Sequence, residues 1–106
     1  MQITESTAIH NTVEDDIAIL NNSTLSIHGI VNGNIRTEQG CRLELYGIVN
    51  GTISSESGSH VAIHGVLNGT IHGSGNIDLF GVIHSDDPLP QNIVIHPRSI
   101  VNDHQY

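Results

Sequence analysis

The 106-residue sequence predicts an all-β, single-domain parallel β-helix, or β-solenoid, of about six coils of 16–18 residues. Three observations point there. An eleven-residue phrase recurs as "LSIHGIVNGNI", "LELYGIVNGTI" and "VAIHGVLNGTI", beginning at Leu25, Leu43 and Val61, a constant step of eighteen. Within each phrase, β-branched residues and glycines keep the same places, the mark of stacked repeats that bury their apolar faces on one another. Finally, the composition disfavours helix: alanine occurs three times and lysine never, and only Tyr46, Phe80 and Tyr106 are aromatic. A core made of Ile, Val and Leu suits pleated structure.

The rungs follow in order once the chain is slid by its own period. Ile9-His10, Ile27-His28, Leu45-Tyr46 and Ile63-His64 share a column, and steps of sixteen then reach Leu79-Phe80 and Ile95-His96. Val13, Val31, Val49, Leu67 and Ile83 form a second column, Ile17, Ile35, Ile53 and Ile71 a third, and Gly29, Gly47, Gly65 and Gly81 a fourth. Side chains alternate across a strand, so Leu43, Leu45, Val49 and Ile53 share one face, the inside of the coil. Asn32-Gly33, Asn50-Gly51 and Asn68-Gly69 read as a repeated bend with positive φ, and their stacked amides can form a ladder. The glycine-rich "HGSGNI" around Gly73 and Gly75 sits where a rung is two residues short and reads as a tightened corner. Hairpins would not keep an eighteen-residue spacing. A hexapeptide helix would need an aliphatic residue every six positions, and six beyond Ile53 is Ser59.

The regular coils are expected over residues 17–85, between an N-terminal capping coil at 1–16 and a C-terminal cap at 86–106. Glu14-Asp15-Asp16 replaces the Asn-Gly-Asn place of the later rungs with negative charge. Pro88, Pro90 and Pro97, with Asp86 and Asp87, interrupt the last rungs, and proline belongs at sheet edges because it donates no ladder bond.

The phrase Leu-x-Ile-x-Gly-x-Val-x-Gly-x-Ile, carried by Leu25, Ile27, Gly29, Val31, Gly33 and Ile35 and repeated one and two coils later, resembles the bactofilin family. The resemblance covers roughly residues 7 to 85. It implies a right-handed β-helix and a self-assembling cytoskeletal scaffold built by end-on stacking, with flexible tails around the helix. The charged and proline-bearing ends depart from that pattern.

Eleven acids against Arg36, Arg42 and Arg98 give a formal charge of −8, which repels nucleic acid and anionic membrane surfaces and attracts a basic protein. Eight histidines make that charge steeply dependent on pH between about 5 and 7.5. The polar, acidic start resembles no signal peptide, no stretch is long and apolar enough to span a bilayer, and cytoplasmic residence is expected. Cys41 is the lone cysteine and has inward parity, which suits a core thiol. No hydrolase elbow, Walker loop or zinc-protease motif occurs, so no enzyme and no cofactor are expected. Of the histidines, only His10 and His28 are neighbours in one column, short of the three or four ligands that a zinc site needs.

The outward columns carry the functional expectation. Parity puts Ile30, Ile48, Val66 and Val82 outside, beside the column His10, His28, Tyr46, His64, Phe80, His96. Aligned exposed aliphatics beside rings mark a contact surface, with Tyr46 as an anchor. The partner-binding residues are thus His28, Ile30, Tyr46, Ile48, His64, Val66, Phe80 and Val82. Alternatively, the segment from Ile93 to Tyr106 covers this stripe. Small size, capped ends, acidity and an apolar lateral stripe fit a non-catalytic protein-binding module, a tight-binding inhibitor of the immunity or antitoxin type masking a basic, toxin-like protein. The alternative is the bactofilin-like scaffold, whose partner is a second copy of itself.

Overall fold

Each strand of the repeat hydrogen-bonds to its counterpart one coil away. The computed structural model describes residues 2–84, 93–96, 99–101 and 104–105. The first coil holds β1 (Gln2–Ile3), β2 (Thr7–Ile9) and β3 (Thr12–Val13), and the second holds β4 (Ile17–Ile19), β5 (Thr24–Ile27) and β6 (Ile30–Asn32). The third holds β7 (Ile35–Thr37), β8 (Arg42–Leu45) and β9 (Ile48–Asn50), the fourth β10 (Ile53–Ser55), β11 (His60–Ile63) and β12 (Val66–Asn68). The fifth holds β13 (Ile71–Gly73), β14 (Asn76–Leu79) and β15 (Val82–His84), followed by β16 (Ile93–Ile95), β17 (Ile100–Val101) and β18 (His104–Gln105).

These strands build a three-sided solenoid. Sheet 1 runs β1-β4-β7-β10-β13, sheet 2 β2-β5-β8-β11-β14-β16, and sheet 3 β3-β6-β9-β12-β15-β17-β18. All pairings are parallel except that of β17 with β18, which turns back antiparallel at the end of sheet 3. The molecule makes about five turns rather than the six expected, because the sixth rung contributes strands to sheets 2 and 3 only, among the described residues. The prolines and acids expected to cap that end, Asp86, Asp87, Pro88, Pro90 and Pro97, lie outside the described residues.

The observed register is the one that the repeat implies. Ile9 pairs with Ile27, Ile27 with Leu45 and Leu45 with Ile63, then Ile63 with Leu79 and Leu79 with Ile95 after the shortened steps. The two residues missing from the fifth coil come from one corner, since Ser55 pairs with Gly73 while His60 pairs with Asn76. Leu25, Ile27, Leu43, Leu45, Val49, Ile53, Val61, Ile63 and Leu67 are completely buried. Cys41 is also buried and free, between the inward Ser23 and Ser59 columns one coil to either side.

Two corners are built differently, and the positive φ expected at the Asn-Gly pairs falls on their glycines alone. Asn32, Asn50 and Asn68 are strand residues, and in the expected bends it is the glycine that takes positive φ, 155° at Gly51 and 154° at Gly69. Their amides do form the ladder, Asn50 Nδ2 donating to Asn32 Oδ1 at 2.7 Å and Asn68 Nδ2 to Asn50 Oδ1 at 3.0 Å. A second positive-φ turn, not expected from the sequence, lies between sheets 1 and 2, where Asn22, Gly40 and Gly58 have φ of 55°, 81° and 84°. Asn and Gly tolerate this conformation.

The glycine column Gly29, Gly47, Gly65 and Gly81 serves close approach. A Cβ on Gly47 would fall on the carbonyl oxygen of Gly29, and one on Gly65 on that of Gly47, far inside van der Waals contact. In the first rung, Asp16 replaces an asparagine without losing its function. Its Oδ1 accepts the Asn34 N–H at 2.8 Å, as Asn34 Oδ1 accepts the Thr52 N–H at 3.0 Å one coil later. Asp15 Oδ1 in turn accepts the Asp16 N–H at 2.9 Å. The acidic corner is therefore wired into the ladder as well as charged.

Two substitutions test this architecture. Leu45→Asp places a carboxylate between Ile27 and Ile63, at a cost of several kcal/mol, and is expected to abolish the far-ultraviolet β signal. Gly65→Ala forces its methyl onto the Gly47 carbonyl. An overpacking loss of about 1–3 kcal/mol should then appear as a lowered urea midpoint.

Candidate functional site: a ring ladder beside an aliphatic ladder

The ring column begins where each sheet 2 strand ends. The backbone N–H of each ring residue donates to the coil below: His28 to Ile9, Tyr46 to Ile27, His64 to Leu45, Phe80 to Ile63 and His96 to Leu79, at 2.7–2.9 Å. With the backbone so pinned, the side chains stack in one line. Ring centroids are 5.0 Å apart for His10–His28, 4.9 Å for His28–Tyr46, 5.0 Å for Tyr46–His64, 4.7 Å for His64–Phe80 and 4.0 Å for Phe80–His96. No pair is tilted by more than 13°. Parallel rings at this separation are in offset-stacked contact.

Two residues further on, across the glycine corner, the aliphatic column stacks at the same pitch. Ile30 pairs with Ile48, Ile48 with Val66 and Val66 with Val82. Ile100 extends it upward, and Thr12 closes it below. Tyr46 is 45% exposed, Phe80 42% and Ile30 36%, while Ile48, Val66 and Val82 are half-buried. All eight residues expected to bind a partner therefore lie on one lateral corner. The described residues from Ile93 onward do not cover them: β16 and β17 add a further rung, and β18 pairs along the sheet edge.

Sequence reasoning missed three contributors. Ile100 was hidden by the irregular spacing of the last rung. Val94, 52% exposed, stands above Asp78 on the outer face of sheet 2. On that face the Asp78 carboxylate also meets two imidazoles, His60 Nε2 at 3.1 Å and His96 Nε2 at 3.3 Å. These contacts run diagonally between rungs, so no column of the repeat shows them. Nearby, Arg42 Nε lies 3.3 Å from Glu44 Oε1 as a partly exposed ion pair.

Elsewhere the surface is less organised. Gln2, Asp16, Ala18, Asn34, Arg36 and Ser54 line a recess of about 330 Å³ on sheet 1, away from the ladders. Arg36 donates to Glu56 at 2.6 Å and lies 3.6 Å from Glu38; hydrogen bonding to Glu56, then the charges of both acids, hold its guanidinium above the ordinary value. Among the described residues no three metal-ligating side chains converge. Stacked imidazoles direct their nitrogen lone pairs in parallel planes, which keeps His10 and His28 from converging on one ion. No helix among the described residues is long and apolar enough to cross a membrane. The chain matches no family model, no curated protein and no solved structure.

Tyr46→Ala removes two stacked pairs from the middle of the ladder. At about 0.5–1.5 kcal/mol per pair, stability should fall by about 1–3 kcal/mol. Urea unfolding followed by circular dichroism should show a lower midpoint with an unchanged native far-ultraviolet spectrum, because the Tyr46 side chain lies outside the coil.

Proposed function

We propose that this chain is a non-catalytic protein-binding β-solenoid, a small acidic inhibitor of the immunity or antitoxin type that masks a basic protein through its ring-and-aliphatic corner. The observation that carries this reading is the unbroken exposed ladder. Six stacked rings and a parallel aliphatic row form a rigid apolar stripe that no described segment covers. Its side chains are already ordered by stacking, so binding loses little side-chain entropy. Tyr46 lies mid-height, where burial by a partner is most complete and anchors act most strongly. The formal charge of −8 favours a basic partner and speeds its encounter, while leaving the short-range contact to the stripe.

A second reading, the bactofilin-like self-assembling scaffold with a right-handed coil, is favoured by one feature. Strands β1, β2 and β3 end their sheets with one edge unpaired among the described residues, which suits addition of another coil. At the opposite end the antiparallel β18 breaks the parallel pattern that such addition would continue.

Photo-crosslinking distinguishes these readings. A photoreactive residue at Tyr46 in the native host should form an adduct with a basic protein, and one at Ser54 should not. Tyr46→Ala with Ile48→Ser should then weaken that complex by about thirtyfold or more. The control Ser54→Ala with His72→Ala, on sheet 1, should bind normally. Adducts of the chain only with itself, or loss of binding confined to the sheet 1 control, would refute the inhibitor reading.

A further inference from the structure

The three Asn-Gly pairs carry a chemistry that neither ladder of the lateral corner uses. Asn32, Asn50 and Asn68 are exposed, and each is followed by a residue with no Cβ to shield its peptide nitrogen. Such a nitrogen can attack the side-chain amide carbon of the asparagine before it. The fold itself demands the glycine, because a Cβ on Gly51 or Gly69 would fall on the carbonyl oxygen of the glycine one coil below. We propose that Asn68-Gly69 is a spontaneous modification site of the folded chain, converted when the fifth coil lifts, while Asn50-Gly51 is spared. This site does not depend on a protein partner.

The step is intramolecular. The Gly69 nitrogen bonds to Asn68 Cγ, and its proton passes through water to the departing Nδ2. The bond from Cγ to Nδ2 breaks, and that nitrogen leaves as ammonia. Water then opens the cyclic imide at one of its two carbonyls, leaving an aspartyl or an isoaspartyl residue. No oxidant, metal or second protein enters.

Two kinds of contact withhold this reaction, and both come from neighbouring coils. Gly33 donates its N–H to the Asn50 carbonyl at 3.1 Å, Gly51 to that of Asn68 at 3.1 Å, and Gly69 to that of His84 at 2.9 Å. A nitrogen so engaged points along the coil axis, away from the side-chain carbon that it must reach. The amide ladder also fixes that carbon. Asn50 is bonded from both sides, Asn68 only from below.

Position in the stack separates the pairs. Stacked repeats are held by contacts with their nearest neighbours, and their ends open before their middle. Gly51 is guarded by β12, which pairs along all three of its residues with the strands on either side. Gly69 is guarded by β15, which is backed over only two residues, by Ile100 and Val101, among the described residues. Lifting the fifth coil is enough to free the Gly69 N–H. Conversion then opposes return of the coil. The new carboxylate lacks the N–H that Asn68 gives to Asn50, and an isoaspartyl residue adds a methylene to the backbone at the end of β12.

The test ages the full-length protein at neutral pH, folded and in urea, and follows aspartyl and isoaspartyl products by peptide mass spectrometry. The local sequences Val-Asn-Gly-Asn, Val-Asn-Gly-Thr and Leu-Asn-Gly-Thr are nearly alike, so the ratio of unfolded to folded rate at each pair isolates protection by the fold. That ratio is expected to be at least threefold smaller at Asn68 than at Asn50. Ile83→Ala removes a buried contact of the fifth coil and should speed conversion of Asn68 in the folded chain at least threefold, with Asn50 unchanged. The comparison between pairs uses the native chain, so it remains decisive should Ile83→Ala fail to fold. Equal ratios at the two pairs, greater protection of Asn68, no conversion of Asn68 in the folded chain, or no acceleration in folded Ile83→Ala overturns the proposal.

Discussion

The in-register parallel hydrogen bonding between coils governs everything else in this molecule. Once Ile27 is held over Ile9 and Leu45 over Ile27, each residue must tolerate its equivalents at ~4.8 Å above and below. That single constraint makes like residues gather in columns. It explains why apolar residues line the interior, why asparagines share amide protons along one corner, and why glycines recur where a carbonyl of the coil beneath occupies the Cβ position. The chain repeats because the spacing between rungs repeats.

The same constraint shows why so much was legible in the sequence and where legibility stopped. Period fixes register, and parity fixes inside and outside, so the strand pairings and the ring and aliphatic columns followed from spacing alone. The turn between sheets 1 and 2 did not. Its positive-φ column is Asn22, Gly40 and Gly58, occupied by two residue types, whereas the uniform Asn-Gly pairs announced their own bend, where Gly51 and Gly69 take positive φ while asparagine stays in the strand. Diagonal contacts were equally silent. Asp78 reaches His60 one coil below and His96 one coil above because of side-chain length and rotamer, neither of which a column records. The antiparallel β18 carries no repeat signal, since its pairing breaks the period.

A solenoid offers a partner two kinds of surface, its ends and its sides, and the details here weigh toward a side. At the N-terminal corner Asp15 and Asp16 satisfy backbone N–H groups within their own rung and the next, so this corner is hydrogen-bonded in the described fold while staying negatively charged. At the other end β18 turns back on β17. Both features oppose the continuation of coils across a boundary, where identical edges would have to meet in register.

The lateral ladder has the opposite character. Stacking fixes the rings that it exposes, so the energy that orders Tyr46 and Phe80 comes from the fold and not from a partner. The solenoid core alone required only that the inward positions be aliphatic and the corners be glycine. It placed no such demand on the outward position after each sheet 2 strand, where serine or threonine would have kept the coil intact. A column that is nonetheless aromatic or imidazole at six consecutive rungs, with an aliphatic column parallel to it, is more than the fold needs. That surplus is the strongest physical reason to look for function on this corner and not at the recess beside Arg36, whose guanidinium is already held by Glu56.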